Sequence, residues 1–298
     1  MNLKFIKNKR IKDNIEGYIY LIPALLLIAL IFFFPIFENI RYSFLDLAQE
    51  GAPFVGLRNY SIVFTDKLFY ISIRNNFLLF LIIPLLVFIS LIFAVLLYEK
   101  IKGWKFYRTI IFLPYVLAVA VIGIFFSFFF QGNGVLNTIL RGIGLNFLAV
   151  DWLGSSKYSL LTIMIIIIWQ QLGYGVVLFL ARLMSVPVDI YDAADIDGVN
   201  WFQRLWYITI PQLATVIEFY VFLLLITMLS WVFNYIYVIT FGGPGQSTYV
   251  SEFYIYIQAF KFNSIGVSAV VTVVLLVITG VIGIFFSRIR RRIYSEYE

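Results

Sequence analysis

Long apolar runs alternate with short polar segments along this chain, near Tyr18–Phe37, Phe77–Tyr98, Ile110–Phe130, Leu160–Leu183, Val216–Phe241 and Val267–Phe286. Crossing a hydrocarbon core takes about 20 helical residues, and each run is long enough. The pattern predicts an all-α, polytopic membrane protein with six transmembrane helices over residues 18–287, a basic tail at 1–17 and a second tail at 288–298. Basic residues precede the first run, as in a signal peptide. It is too long for one and no small-residue cleavage site follows, so it reads as a retained helix. Pro23, Pro35, Pro84 and Pro114 fall within or at the edges of spans and predict kinks, because proline removes an amide donor from the helical ladder.

Composition agrees with lipid as the main solvent. The chain has 298 residues, 62% hydrophobic and only 13% charged, against about 25% charged in a soluble domain. It contains neither cysteine nor histidine, which excludes disulfides, thiol nucleophiles, histidine-based triads and soft-metal sites.

The net charge of +6 is a topology signal once lysine and arginine are mapped onto the spans. With the N-terminus inside, the inner side holds Lys4, Lys7, Lys9, Arg10, Lys12, Lys100, Lys102, Lys105, Arg108, Arg182, Arg204, Arg288, Arg290, Arg291 and Arg292. The outer side holds Arg41, Arg58, Lys67, Arg74, Arg141, Lys157 and Lys261, so the balance is 15 to 7 and both termini are expected in the cytoplasm. Nucleic acid is not an expected partner; membrane lipid is.

The segment 185–211 between the fourth and fifth spans is predicted to hold two short helices. Asp189 is a candidate N-cap and Asp192 adds negative charge at the positive end of the helix dipole. Ile190, Ala193 and Ala194 give a helix with a small-residue face, and Gly198 suits the left-handed conformation that stops it. Asn200 and Gln203 have the spacing of a capping box for a second helix, with Pro211 marking the turn into the next span. From the residues alone, the pair is either a knob for a partner's groove or an interfacial element lying on headgroups.

Polar residues inside spans mark a pathway or a packing contact. Trp169-Gln-Gln-Leu-Gly-Tyr174 and Ser230-Trp-Val-Phe-Asn-Tyr-Ile-Tyr237 supply two clusters. Amides satisfy hydroxyls in both directions and aromatic faces cover the apolar faces of a sugar ring. The candidate substrate residues are Gln170, Gln171, Tyr174, Trp231, Asn234 and Tyr237. Interhelical hydrogen bonding and an interfacial aromatic belt remain the alternative for each. No lysine or arginine lies mid-span, which favours a neutral solute over an anionic one. Glu218 is read as the acid well inside a span, near the cytoplasmic interface.

The run Asp192-Ala-Ala-Asp-Ile-Asp-Gly198, followed by Ile208 and Pro211, resembles the EAA motif of permease subunits of binding-protein-dependent ABC importers. Asp192 replaces the usual glutamate, keeping its charge on a shorter side chain. Similarity to the carbohydrate-uptake branch, of the maltose and glycerol-3-phosphate type, extends along the chain. It is carried by Tyr20-Leu-Ile-Pro-Ala24, Phe34-Pro35, Gly56-Leu-Arg-Asn-Tyr60, Leu113-Pro-Tyr115, Gly134-Val-Leu-Asn137, Trp169 with Gly173, and Thr240-Phe-Gly-Gly-Pro244. Asn76 and Arg182 depart from the usual pattern.

The resemblance implies a type I importer permease fold whose coupling helix docks on an ATPase through Asp192, Ala193, Ala194, Asp197, Gly198, Ile208 and Pro211. It also implies a multi-pass chain in a bacterial or archaeal cell membrane and four partners: a homologous permease subunit, a cytoplasmic ATPase dimer, an extracytoplasmic solute-binding protein and a sugar. Glycerol 3-phosphate or another small polar solute is the alternative substrate. The chain lacks a phosphate-binding Gly-Lys-Ser/Thr loop, so no cofactor is expected on it and ATP with magnesium belongs to the partner. An ion-coupled secondary transporter is the rival; it calls for intramembrane ionisable groups or an internal repeat.

Overall fold

The computed structural model describes residues 20–295, and for 289–295 the backbone alone. The expected tail 1–17 lies outside the described residues, while the expected tail from 288 onward is helical through Ser295. The helices are α1 (Tyr20–Tyr42), α2 (Arg58–Thr65), α3 (Lys67–Leu79), α4 (Ile82–Tyr98), α5 (Trp104–Val116), α6 (Val119–Phe129) and α7 (Val135–Gly142). They continue with α8 (Ser159–Leu183), α9 (Val188–Ile196), α10 (Trp201–Ser230), α11 (Phe233–Ile239), α12 (Ser251–Tyr256) and α13 (Ile265–Ser295). Among the described residues, β-structure is limited to one isolated bridge, Leu45 with Phe54.

Five stretches are long and apolar enough to cross a membrane, at Tyr20–Tyr42, Lys67–Tyr98, Ser159–Leu183, Trp201–Ser230 and Ile265–Arg288, and the bent pair α5 and α6 counts as a sixth when taken as one broken span. The third span, expected as one helix over Ile110–Phe130, is bent by 99°. Leu117 and Ala118 both adopt extended backbone, one turn after Pro114. The fifth span also differs from expectation. Pro211 does not turn the chain, because a wide π-turn at Leu205–Thr209 joins the short helix at Trp201 to the following one in a single run of 30 residues. Pro211 falls in the first turn after the π-turn, where its missing donor costs little.

The chain divides into two compact units. Among the described residues, one comprises 20–65 and 258–274, the other 66–257 and 275–295. In the first, Asn59 Nδ2 donates to the carbonyls of Ser43 and Leu45 at 3.0 and 2.9 Å, which ties α2 to the loop after α1. The Gly56-Leu-Arg-Asn-Tyr60 run thus carries a buried amide that fixes a turn. In the second, α4 and α8 pack along their length, and Leu86, Ile163, Ile166 and Ile167 on them are completely buried. Helix association in lipid gains little from solvent exclusion and rests on close contact. Asn137 plays the part that Asn59 plays in the other unit: its Nδ2 donates to Gly132 and Val150 carbonyls, and its Oδ1 accepts from Trp152 Nε1 at 2.9 Å.

Candidate functional site

A cavity of about 570 Å³ opens among α5, α6, α8, α10 and α11. Its lining includes Tyr115, Gln170, Gln171, Thr227, Trp231 and Asn234, with Phe219, Phe222 and Leu223 beneath, and no charged side chain among the described residues. The volume lies within the usual range for small-ligand pockets, about 300–1,000 Å³. Trp231, in the break after α10, and Asn234 and Tyr235, in the first turn of α11, all reach the same cavity. Trp231 and Asn234 are exposed and free to meet a solute.

The six candidate substrate residues are placed differently from one another. Gln171, Trp231 and Asn234 line the cavity. Gln170 also borders it, but its amide is engaged: Nε2 donates to the Leu117 carbonyl at 3.0 Å and Oε1 accepts from Tyr235 Oη at 2.5 Å. It therefore satisfies the carbonyl freed at the bend between α5 and α6. Tyr174 stacks on the lining residue Tyr115, with ring centroids 5.1 Å apart. Tyr237 packs among Phe233, Phe241 and Tyr256, away from the lining set.

Segment 185–211 presents the second surface. Helix α9 starts after Pro187, so Asp189 sits in the first turn instead of capping it. The helix ends at a left-handed Gly198 (φ 70°). Val199 donates to the Ala194 carbonyl and Gly198 to that of Asp195, the paired bonds of a Schellman stop. Tyr191 and Ala194 are buried beneath the helix, whereas Asp192, Ala193, Asp195, Ile196, Asp197 and Gly198 are exposed. Asn200 and Gln203 form the full reciprocal capping box that starts α10. Ile208 lies in the π-turn and Pro211 just beyond it.

Arg204 fixes α9 to its base. Its guanidinium bridges Asp195 at 3.0 Å and Glu99, at the end of α4, at 3.1 Å; Trp201 Nε1 also donates to Glu99 at 2.9 Å. Exposed ion pairs contribute at most about 1 kcal/mol each. Arg204→Ala is therefore expected to leave the thermal midpoint nearly unchanged while speeding hydrogen exchange along α9 several-fold, because the helix loses its fixed orientation. Melting and hydrogen-exchange measurements on the same preparation check both parts.

Residues 63–294 match the model of the binding-protein-dependent transport system inner membrane component family. The chain belongs to this family. It is 35% identical to the probable ABC transporter permease protein YurN of Bacillus subtilis, over 90% of this chain and 93% of that one. It is 30% identical to the multiple sugar-binding transport system permease protein MsmF of Streptococcus mutans, over 95% and 98%. The crystal structure of a bacterial ABC transporter that imports the acidic polysaccharide alginate contains a chain with the same fold, at TM-score 0.83 and 23% identity, covering 96% of this chain and 98% of that one. Membership of the family makes this chain a multi-pass transport subunit with an importer permease fold.

Several residues of this inner membrane component escaped the sequence reading. Tyr115 and Val119 flank the bend and line the cavity, yet the apolar residues Leu117 and Ala118 gave no signal of an interruption. Glu218, which the sequence marks as an acid inside a span, borders a separate cavity of about 440 Å³ with Thr215, Phe219, Phe222, Phe286 and Ser287. Glu252 carries no sequence signal because it lies outside every apolar run.

Proposed function

We propose that the chain is one half of the membrane pathway of an ATP-driven importer for a neutral sugar or oligosaccharide. The carrying observation is the continuity of α10, which starts at Trp201 beside the exposed acidic helix α9 and ends at Ser230, next to Trp231 in the cavity. At 1.5 Å per residue, a helix of this length spans about 45 Å. Movement imposed on α9 reaches the cavity wall through one rigid element.

The solute class follows from the lining. Amides of Gln171 and Asn234 and the hydroxyl of Thr227 pair with sugar hydroxyls, and Trp231 and Tyr115 offer flat apolar faces. No cation is available for a phosphate or carboxylate among the described lining residues. Relatives named for sugar uptake support the same reading.

In this scheme both termini and segment 185–211 face the cytoplasm. A homologous permease closes the other side of the pathway, and a solute-binding protein delivers sugar from outside. ATP and magnesium are held by a separate ATPase pair. ATP binding closes that pair, α9 carries the closure into α10, and the cavity opens outward. The acidic rim of α9, Asp189, Asp192, Asp195 and Asp197, around exposed Ile196, fits a basic groove with an apolar floor.

The test is to purify the chain with its co-expressed partner subunits and measure ATP hydrolysis with a panel of sugar-loaded binding proteins. Stimulation by one neutral sugar supports the reading; transport independent of ATP contradicts it. In the active complex, Trp231→Ala and Asn234→Ala are each expected to raise the KM for uptake by about 3- to 10-fold, the equivalent of one lost hydrogen bond or stacking contact. Uptake titrations over sugar concentration check this.

A further inference from the structure

The end of α10 carries an interruption that its own backbone leaves unsatisfied. In an unbroken helix the Val232 amide would donate to the Met228 carbonyl. Here that carbonyl accepts from Asn76 Nδ2 of α3 at 2.7 Å instead. The same Nδ2 reaches Glu252 Oε2 at 3.3 Å, while Asn76 Oδ1 accepts from the Ser251 amide at 2.8 Å. Backbone amides of Val232 and Phe233, at the start of α11, favour the charged form of the Glu252 carboxyl. Two side chains from distant parts of the sequence thus stand at the break in the helical ladder.

We infer that Asn76 and Glu252 are a positioning pair that holds the interruption between α10 and α11 in the form that presents Trp231 and Asn234 to the cavity. Three observations support it. Asn76 is buried and spends both ends of its amide on this junction. Glu252, on α12, takes Asn76 Nδ2 at its Oε2 and the favourable pull of the Val232 and Phe233 amides, so its carboxyl is tied to the same break. Trp231 and Asn234, lining residues on either side of the break, flank the Val232 and Phe233 amides. The inference rests on the proposed role of the cavity in holding solute.

Burial pushes the Glu252 carboxyl up to about 7, against the opposing pull of its own amide, Asn76 and the amides of Val232 and Phe233. These strongest influences include no charged side chain. The acid is neutral below that pH and ionises above it. A buried carboxylate then draws water to the junction and loosens it.

The experiment compares wild type, Glu252→Gln and Glu252→Leu in the assembled complex. The first readout needs no solute: hydrogen–deuterium exchange at residues 231–235, corrected for intrinsic pH dependence. In wild type, exchange is expected to accelerate as pH rises from about 6 to 8, the range in which an acid shifted this far titrates. Glu252→Gln is expected to stay protected and flat across that range, because a neutral amide keeps the contact with Asn76. The second readout is uptake: Glu252→Leu is expected to raise KM by about fivefold, within the cost of a buried contact, with the maximal rate nearly unchanged, and Glu252→Gln to restore the wild-type KM. A flat exchange profile in wild type, or KM values unaffected by both substitutions, overturns the inference. If Glu252→Leu fails to assemble, the exchange profiles of wild type and Glu252→Gln decide the matter. Absence of any sugar uptake by the wild-type complex counts against the solute reading and leaves the exchange test standing.

Discussion

Gly198→Asp is expected to stop coupled uptake while leaving the chain folded and inserted. Gly198 adopts φ 70°, and a Cβ built there meets no atom within 4 Å. A non-glycine residue in the left-handed region costs about 1–2 kcal/mol, and aspartate is among those that tolerate it best. The fold therefore absorbs the change. The open space beside Gly198 is where the proposed ATPase groove closes over the end of α9, and an added carboxylate is buried there without a partner. Loss of about 1.4 kcal/mol of docking corresponds to a tenfold weaker engagement, so uptake is expected to fall at least that far. Uptake and ATP hydrolysis measured on one reconstituted preparation check this; hydrolysis continuing without sugar movement is the expected signature, and wild-type transport would count against the docking role.

Replacement of Gly173 is expected to act by the opposite route, through the fold. A Cβ on Gly173 would collide with the Ile111 carbonyl oxygen and lie 2.9 Å from Phe112 Cα. Both are backbone atoms of α5, so no side-chain rotation relieves the clash, and α5 must move away from α8. Overpacking of a well-filled contact costs about 1–3 kcal/mol, occasionally more. The displaced segment also carries Tyr115, whose ring stacks on Tyr174 and lines the cavity. Gly173→Val is expected to lower the yield of folded protein sharply, and Gly173→Ala to lower the thermal midpoint and uptake together. Gly142→Ala is the control, since a methyl group placed on Gly142 has no other atom within 4 Å. Equal melting of the Gly173 and Gly142 variants would contradict the close approach of α5 and α8.

These two glycines also mark the limits of what the sequence discloses. The stop at Gly198 was legible because a Schellman end and a capping box are local, written within a few residues of each other. The spans were legible because lipid imposes a minimum apolar length. Gly173 could be named from the sequence, but not its reason, which is an α5 backbone about 60 positions away. The bend at Leu117 and Ala118 was hidden for a similar cause: its freed carbonyl is satisfied by Gln170 across the bundle. The contact between Asn76 and Glu252 joins residues 176 positions apart.

The central claim, that α9 is a lever gripped by a separate ATPase, has a direct test because the chain contains no cysteine. Ile196→Cys places a single thiol on the exposed side of α9, where the native side chain is 87% accessible. The assembled complex is then treated with a short thiol-to-amine cross-linker, with and without ATP. Cross-linking of this position to the ATPase subunit, changing in yield with ATP, is the predicted result; a thiol freely labelled in the active complex and never joined to that subunit would contradict the account.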